Sequence, residues 1–176
     1  MRPIGFTSRL VLRCQAGDDG AFAELVDRYH EGLGYYVRRL LGNAHLADDV
    51  LQDVWLTAFR RLPRLRNPRA LPVWLYRIAR NAALAELRGA SGWAEQTEEP
   101  QAPAPGHEEP EFTPEDAARI HVALDRLRPE HKDVLVLRFL EEMSYEGIAA
   151  VVGCPLGTVR SRIHYAKQAL RREMRG

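Results

Sequence analysis

Apolar residues recur at intervals of three and four along most of the chain, which is the spacing that places them on one face of an α-helix. In the N-terminal half this pattern predicts helices over about 8–17, 20–41, 46–62 and 73–87. The third carries Val50, Leu51, Val54, Trp55, Ala58 and Phe59 at this spacing. Gly32 and Gly34 are expected to weaken the second helix and to permit a kink. Gly89 is expected to end the fourth, and an Arg-rich loop with three prolines separates the third from the fourth.

The C-terminal part of the chain continues the helical pattern. Thr113-Pro114 is typical of a helix start, and Pro129 begins a further helix with a strongly apolar run. Two more helices are predicted over about 145–152 and 155–174, with Gly153 in a left-handed turn between them. Sustained alternation with period two, the signal of a β-strand, is not seen. We therefore predict an all-α protein.

The last two predicted helices have the spacing of a helix-turn-helix. Ala149, Gly153 and Val159 lie where such a motif needs a small residue, a left-handed turn and a buried apolar residue. Val159, Ile163, Ala166 and Leu170 form the expected buried stripe of the second helix. The expected outward side chains are Thr158, Arg160, Ser161, Arg162, His164, Tyr165 and Lys167. A face of this composition suits phosphates and base edges in a major groove.

The segment between the two helical parts differs from both in composition. It is rich in proline and glutamate and has few apolar side chains, which is typical of a flexible linker. We expect two small helical domains, over 8–90 and 114–176, joined by an acidic linker over 91–113.

The charges are segregated along the chain, although the formal net charge is only +1. Arginines dominate from Arg60 to Arg88, acids dominate the linker, and basic residues dominate again from Arg160 onward. Such a pattern favours a polyanionic partner that net charge alone would not indicate. Cys14 and Cys154 are expected to be reduced thiols.

The chain offers little that would support catalysis. We find no Ser/His/Asp, paired-carboxylate or metal-ligand constellation at useful spacing, so we expect no enzyme activity, no metal and no cofactor. The chain also has no apolar run that could span a membrane and no signal-peptide pattern, so a cytoplasmic protein without membrane insertion is expected.

Three motifs, in this order, carry a family resemblance. Ala47–Trp55 resembles the polymerase-binding helix of bacterial sigma factors, and Trp74–Asn81 resembles the promoter-melting segment of their region 2. Leu127–Glu130, Leu137–Phe139, Ser144–Ala149 and Gly157–Arg162 resemble their region 4. With only these two regions, the chain resembles an extracytoplasmic-function (ECF, group IV) sigma factor of the sigma-70 family.

The resemblance implies a dissociable subunit of bacterial RNA polymerase that directs promoter-specific initiation. The third helix would dock on the clamp helices of the largest subunit, and region 4 would meet the flap. The implied polymerase contacts are Asp49, Gln52, Asp53 and Trp55, although Trp55 could equally belong to the core. For the three polar residues the alternative is that they only complement the helix dipole.

The same resemblance implies that region 2 melts and reads the −10 element. The implied contacts are Arg66, Asn67, Leu71, Tyr76, Arg77, Arg80 and Asn81. Trp74 would belong to the core, and Arg77, Arg80, Asn81 and Arg88 are expected to be accessible. The loop Asn67–Pro72 departs from the Gly-, Ser- and Phe-rich loop usual in the family.

Region 4 would read the −35 element as duplex DNA. Arg160, Ser161, His164 and Tyr165 would lie at or near base edges, and the implied phosphate contacts are Arg138, Tyr145, Thr158, Arg162 and Lys167. For His164 a solvated surface position is equally compatible with the sequence. Phosphate contacts position a protein on DNA, whereas base contacts specify the sequence.

A non-sigma helix-turn-helix regulator remains the alternative, and it would bind duplex DNA without polymerase. The resemblance also implies an anti-sigma factor as partner and a linker that either threads a positively charged polymerase channel or is a passive tether.

Overall fold

A computed structural model of the chain describes residues 4–91 and 117–175, and every structural statement below refers to these residues. The chain divides into two compact units, residues 1–93 and 94–176, here called the N-terminal and C-terminal units. All regular elements in the described ranges are helical. The predicted linker and the predicted helix start at Thr113-Pro114 lie outside the described residues.

The N-terminal unit contains four long helices. They are α1 (Ile4–Gln15), α2 (Asp19–Leu41), α3 (Ala44–Arg61) and α4 (Leu71–Ser91). Two short 3-10 turns, Leu62–Arg64 and Pro68–Ala70, connect α3 to α4. Helix α2 packs against the other three, and its buried Tyr36 meets Tyr76 of α4 edge to face, with ring centroids 5.3 Å apart.

Helix α2 is well defined at both ends. The Asp18 carboxylate accepts a hydrogen bond from the Ala21 N–H at 3.1 Å and pairs with Arg13 at 2.8 Å. The Arg13 hydrogen bond is the main cause that lowers the pKa of Asp18. At the other end Gly42 is left-handed, with φ of 67°, and its N–H bonds to the Arg38 carbonyl.

The kink considered for α2 is not present, because the helix is continuous through both glycines. Gly34 is buried at the contact with α3, where an added Cβ would lie 3.3 Å from the Leu51 side chain and 3.1 Å from the Arg38 guanidinium. The missing side chain therefore serves close packing between α2 and α3 rather than bending.

Helix α4 is longer at both ends than the sequence pattern predicts. It begins at Leu71 because the second 3-10 turn leads directly into it, and Pro72 then lies in the first turn, where a helix needs no N–H donor. It also runs past Gly89 to Ser91, so the prediction that Gly89 ends the helix was wrong. One glycine costs a helix about 1 kcal/mol, which does not suffice to end it.

The C-terminal unit contains α5 (Ala117–Asp125), α6 (Pro129–Leu135), α7 (Tyr145–Val152) and α8 (Leu156–Arg175). Helix α8 packs against α5, α6 and α7, and its buried residues include Val159, Ile163, Ala166 and Leu170, as predicted.

The predicted helix-turn-helix is present. Ser144 caps α7 by accepting from the Gly147 N–H at 3.0 Å, and Gly153 has φ of 76° with its N–H bonded to the Ala149 carbonyl at 2.8 Å. Pro155 was expected inside the first turn of α8. It instead precedes the helix, and its carbonyl accepts from the Val159 N–H.

A π-helical turn, Val136–Leu140, extends α6 and was not predicted. The Glu141 N–H bonds to the Val136 carbonyl at 3.1 Å, and the Met143 N–H bonds to the Leu137 carbonyl at 3.0 Å. The chain then reverses through Glu142, which has φ of 53° although it is not glycine. This turn brings the apolar run of α6 to the start of the helix-turn-helix.

Candidate functional site

One face of α3 exposes adjacent polar side chains. Asp49, Gln52 and Asp53 are all exposed, and their spacing of three and four places them on a single helix face. The exposed face continues with Leu56, which is 50% exposed, and Phe59, which is 57% exposed. The sequence analysis did not predict that Leu56 is exposed, and it placed Phe59 in the buried apolar stripe. Both residues lie on the face of Asp49, seven and ten positions further along the helix, and this spacing could have indicated their exposure.

Trp55 lies at the contact between α2 and α3. Its side chain is half-buried, and its indole N–H donates to His30 Nδ1 at 3.2 Å. The His30 ring stacks on it at 6.5 Å, and Phe22 meets it edge to face at 6.2 Å. Trp55 therefore belongs to an aromatic cluster between α2 and α3, and His30 is a member that the sequence did not indicate.

The connection between α3 and α4 forms an exposed basic surface. Its exposed arginines are Arg64, Arg66 and Arg69, and the exposed Arg60 and Arg61 end α3 directly before it. Asn67 is exposed at its tip, and its side-chain oxygen accepts from the Arg69 N–H at 3.1 Å. From α1, the side-chain amide of Gln15 donates to the carbonyls of Leu62 and Leu65 at 3.1 and 2.9 Å. The loop is thus tied to a helix distant in sequence.

Burial divides the predicted −10 residues into two groups. Arg66, Asn67, Arg77 and Asn81 are exposed, and the last two lie one turn apart on α4. Leu71, Tyr76 and Arg80 are buried, with Arg80 only 5% exposed. The expectation that Arg80 is accessible was wrong, because position 80 shares the inward face of α4 with Tyr76, Ala79 and Ala83. Trp74 is half-buried.

The same division appears on α8. Arg160 is exposed, and Thr158, His164, Tyr165 and Lys167 are partly exposed. The prediction that Ser161 and Arg162 point outward was wrong, since Ser161 is 9% and Arg162 is 3% exposed. Position 162 lies three residues from Val159 and four from Ala166, which places it on the buried face. The Ser161 hydroxyl donates to the Thr158 carbonyl at 3.0 Å.

Neighbouring side chains on the accessible part of α8 contact one another. The rings of His164 and Tyr165 lie 5.6 Å apart, and Gln168 is 3.0 Å from the His164 ring nitrogen Nε2. Gln168 is exposed one turn beyond His164 and was not predicted. This part of α8 therefore offers amide, imidazole and phenol groups beside Arg160.

The structure brings Arg138 and Tyr145 together. The Arg138 guanidinium donates to the Met143 carbonyl at 3.1 Å and lies over the Tyr145 ring at 5.1 Å. On the adjoining surface the Lys167 ammonium lies 5.1 Å from the ring of the exposed Phe139. Arg138 thus joins the π-helical turn to the start of α7.

One histidine of this unit has a shifted pKa. Burial lowers the pKa of the half-buried His131 on α6; the charge of Glu130 opposes the shift, and the charges of Arg128, Arg162 and Arg172 add to it. Within the described ranges, no group of three His, Cys, Asp or Glu side chains is placed to hold a metal ion. None of the described helices combines the length and apolar character needed to cross a bilayer.

Two family models match the chain, one in each unit. The model described as Sigma-70 region 2 matches residues 25–92, and the model described as Sigma-70, region 4 matches residues 123–172. The first match contains α3 and α4 with their basic loop, and the second contains the helix-turn-helix.

Curated relatives match over nearly their whole length. The chain is 39% identical to the RNA polymerase sigma-H factor of Pseudomonas aeruginosa, over 92% of this chain and 90% of that protein. It is 34% identical to the ECF RNA polymerase sigma-E factor of Escherichia coli, with the same coverage of 92% and 90%. It is 30% identical to the ECF RNA polymerase sigma factor SigW of Bacillus subtilis, over 94% of this chain and 95% of that protein.

Solved structures share the fold. CnrH, in complex with the cytosolic domain of CnrY, is similar with a TM-score of 0.64 and 24% identity over 94% of each chain. RpoE, in complex with the anti-sigma factor NepR from Bartonella quintana, is similar with a TM-score of 0.64 and 23% identity over 88% of this chain and 96% of that one. The chain therefore belongs to the sigma-70 family, within the extracytoplasmic-function group of RNA polymerase sigma factors.

Proposed function

We propose that the exposed face of α3 binds core RNA polymerase, at the clamp helices of its largest subunit. The observation that carries this proposal is the group Asp49, Gln52 and Asp53, exposed side by side and followed by the exposed Leu56. A polar group beside an exposed apolar side chain is the composition of a protein–protein interface, in which the apolar part supplies affinity and the charges supply specificity. Trp55 would support this face from the aromatic cluster between α2 and α3.

The basic loop and the adjoining face of α4 would bind the −10 element. Arg66 and Arg77 can hold phosphates, while Asn67 and Asn81 can read the edge of a base taken out of the duplex. Leu71, Tyr76 and Arg80 are buried, so we propose that they act here by supporting the helix that presents the exposed residues. Direct base contact by these three would require α4 to move away from the residues that cover its inward face.

Helix α8 would read the −35 element in the major groove. Arg160, His164 and Tyr165 are accessible for base edges, and Thr158 and Lys167 for phosphates. Arg138 and Tyr145 would position the start of α7 on the DNA backbone as a contacting pair. Ser161 and Arg162 are buried and would hold α8 in place rather than contact DNA in this conformation.

The finer organisation follows from these assignments. Residues 8–90 would form the region 2 domain, residues 91–113 a linker within the polymerase, and residues 114–176 the region 4 domain, which would also meet the flap. RNA polymerase would perform the chemistry of initiation, so this subunit would need no cofactor and would act in the cytoplasm. An anti-sigma factor would compete with polymerase for the same surfaces.

Run-off transcription with bacterial core polymerase on a library of upstream DNA fragments tests this function. New, discrete start sites should appear only when the protein is added, and the Asp49→Ala/Gln52→Ala variant should abolish them. The matched control is Asp27→Ala/Glu31→Ala, which removes two exposed acids from α2 at one-turn spacing and should leave the starts unchanged.

Each result has a separate meaning. A protein that shifts duplex DNA alone and leaves transcription unchanged would favour a non-sigma helix-turn-helix regulator, or a loop that cannot melt DNA. Exchange of Asn67–Pro72 for a Gly/Ser/Phe-rich loop separates these cases, because only the second regains starts. Equal loss of transcription in both double variants would contradict the assignment of the α3 face.

A further inference from the structure

Gln15, at the end of α1, connects two carbonyl groups of the basic loop that are far away in sequence. Its side-chain N–H groups donate to Leu62 at 3.1 Å and to Leu65 at 2.9 Å. Leu62 is buried, and Gln15 and Leu65 are half-buried, so these bonds are shielded in part from water. Helix α1 packs against both 3-10 turns of this loop.

The loop itself supplies a hydrogen bond to the Leu62 carbonyl, from the Leu65 N–H at 3.0 Å, but it cannot readily supply one to the Leu65 carbonyl. A turn bond to the Leu65 carbonyl would come from residue 68 or 69. Pro68 has no N–H, and the Arg69 N–H is bonded to the Asn67 side chain at 3.1 Å. Because a shielded carbonyl without a donor is costly, the sequence of the loop itself creates the need for a donor from elsewhere.

Electrostatic repulsion between its arginines also favours a more open conformation of the loop. Arg64, Arg66 and Arg69 are all exposed within six residues, and no acid lies between Arg60 and Pro72. Like charges at this spacing repel one another, and Asn67 and Pro68 restrict but do not fix the backbone between them. The hydrogen bonds from Gln15 hold the backbone at Leu62 and Leu65, directly before Arg66 and Asn67, which we assign to the −10 element.

We propose that Gln15 is a positioning residue for promoter opening, because it holds the loop in the conformation that presents Arg66 and Asn67 to the −10 strand. This inference rests on the proposed function of the loop. Without the two amide hydrogen bonds, the binding-competent loop is a smaller fraction of the conformations, and the apparent affinity for the strand falls by that fraction. The polymerase-binding face of α3 and the −35 residues of α8 do not depend on it.

The test uses holoenzyme assembled with wild-type protein or with Gln15→Leu, which keeps the size of the side chain and removes both donors. The probes are a promoter selected by the wild-type holoenzyme from the fragment library and a single-stranded oligonucleotide with its −10 sequence. For Gln15→Leu we expect affinity for the oligonucleotide, and permanganate reactivity of unpaired −10 thymines, to fall on the order of tenfold. Core-polymerase affinity and −35 duplex protection should stay at the wild-type level.

Arg13→Ala is the matched control on the same helix. It removes the contacts of α1 with Asp18 and Glu24 and leaves the Gln15 bonds in place, so strand binding and opening should be unchanged. Loss of opening in both variants would assign the effect to α1 as a whole and overturn the specific role of Gln15. If Gln15→Leu does not fold, Gln15→Met provides the same comparison, since its unbranched side chain is similar in size, neutral and without an N–H donor.

The inference and the proposed function can fail separately. If wild-type holoenzyme opens no promoter, the proposed function fails. If wild type opens the promoter and Gln15→Leu, or Gln15→Met in its place, opens it equally well, only the role of Gln15 is overturned.

Discussion

At the residue scale, two arginines two positions apart on α8 occupy opposite environments. Arg160 is exposed, and Arg162 is 3% exposed between Val159 and Ala166 on the packed face of the helix. A buried guanidinium keeps its place through packing of its methylene stem as well as through its charge, so its removal affects folding first. The sequence motif alone gives both residues the same basic character.

We expect Arg162→Ala to destabilise the protein and Arg160→Ala to weaken promoter binding. Arg162→Ala should lower the free energy of unfolding by about 2 kcal/mol and the melting temperature by about 10 °C, because it leaves a cavity against α6. Arg160→Ala should change stability by less than about 0.5 kcal/mol and reduce −35 duplex binding by the holoenzyme. Thermal unfolding and fluorescence anisotropy measure the two effects. If Arg162→Ala is as stable as wild type but has lost DNA binding, Arg162 contacts DNA after all.

Glu142 is the one described residue other than glycine with a positive φ, at 53°. The left-handed region costs an L-residue about 1 kcal/mol or more, whereas glycine adopts it freely. Glu142→Gly should therefore raise the free energy of unfolding by about 0.5–1 kcal/mol, measured by urea denaturation.

Glu141→Gly is the control for this substitution. Glu141 has φ of −96°, so glycine there only adds freedom to the unfolded chain and should cost about 0.5–1 kcal/mol. If both glycine variants lose stability equally, the backbone at Glu142 carries no strain.

At the element scale, α3 has one packed face and one exposed face. One face packs on α2 and α4 through Val50, Leu51 and Val54, and the opposite one exposes Asp49, Gln52, Asp53 and Leu56. An exposed leucine contributes little to folding, but it can contribute to binding when a partner covers it. This face is therefore free to evolve for a partner without loss of the helix.

Leu56→Ala should weaken core-polymerase binding by about 1 kcal/mol, or roughly fivefold, with unfolding unchanged within about 0.5 kcal/mol. Leu12→Ala is the matched control, because Leu12 on α1 is 55% exposed and Leu56 is 50% exposed. Titration of labelled protein with core polymerase provides the affinities. Equal affinity of the two variants would place Leu56 outside the interface.

Helix α6 should make stability depend on pH through His131. Burial holds the folded-state pKa of His131 below the value of about 6.5 in an unfolded chain. The unfolded state therefore binds a proton more readily than the folded state. The free energy of unfolding is not reduced by His131 above about pH 6.5, and it declines as pH falls from 6.5 through the lower folded-state pKa.

His131→Gln should flatten this decline, since glutamine does not titrate. Urea unfolding at pH 7.5, 6.5 and 5.5 measures it, with His45→Gln on the exposed start of α3 as control. Parallel profiles for wild type and His131→Gln would show that His131 does not govern the decline.

At the scale of the whole molecule, the chain divides into two compact units. The N-terminal unit carries the α3 face and the basic loop, and the C-terminal unit carries the helix-turn-helix. If both units contact DNA as proposed, the two contacts bind a promoter better than either alone, because the second becomes intramolecular once the first has formed.

Separate fragments 1–93 and 94–176 should each fold, with helical circular dichroism that adds up to that of the intact chain. Because each fragment is small, its melting temperature should be below that of the intact chain or close to it. Fragment 1–93 should still bind core polymerase but should lose promoter selection by one to two orders of magnitude, because the −35 contact is no longer linked. Run-off transcription with the fragment measures this, and full selection by fragment 1–93 alone would contradict the two-site account.

The sequence determined the local features of this protein because their causes are local. Apolar spacing fixed the all-α class, Ser144 and Gly153 fixed the ends of α7, and the order of three motifs indicated the sigma-70 family. The tertiary structure decided the positions at the edges of helix faces. The periodicity of a helix predicts the direction of its apolar face, but it does not predict which residues at the edge of that face are covered by a neighbouring element. For this reason Arg80 and Arg162 are buried and Phe59 is exposed, contrary to the predictions from the sequence. The hydrogen bonds from Gln15 to Leu62 and Leu65 span about fifty residues, and only the packing of α1 against the loop could bring those atoms together.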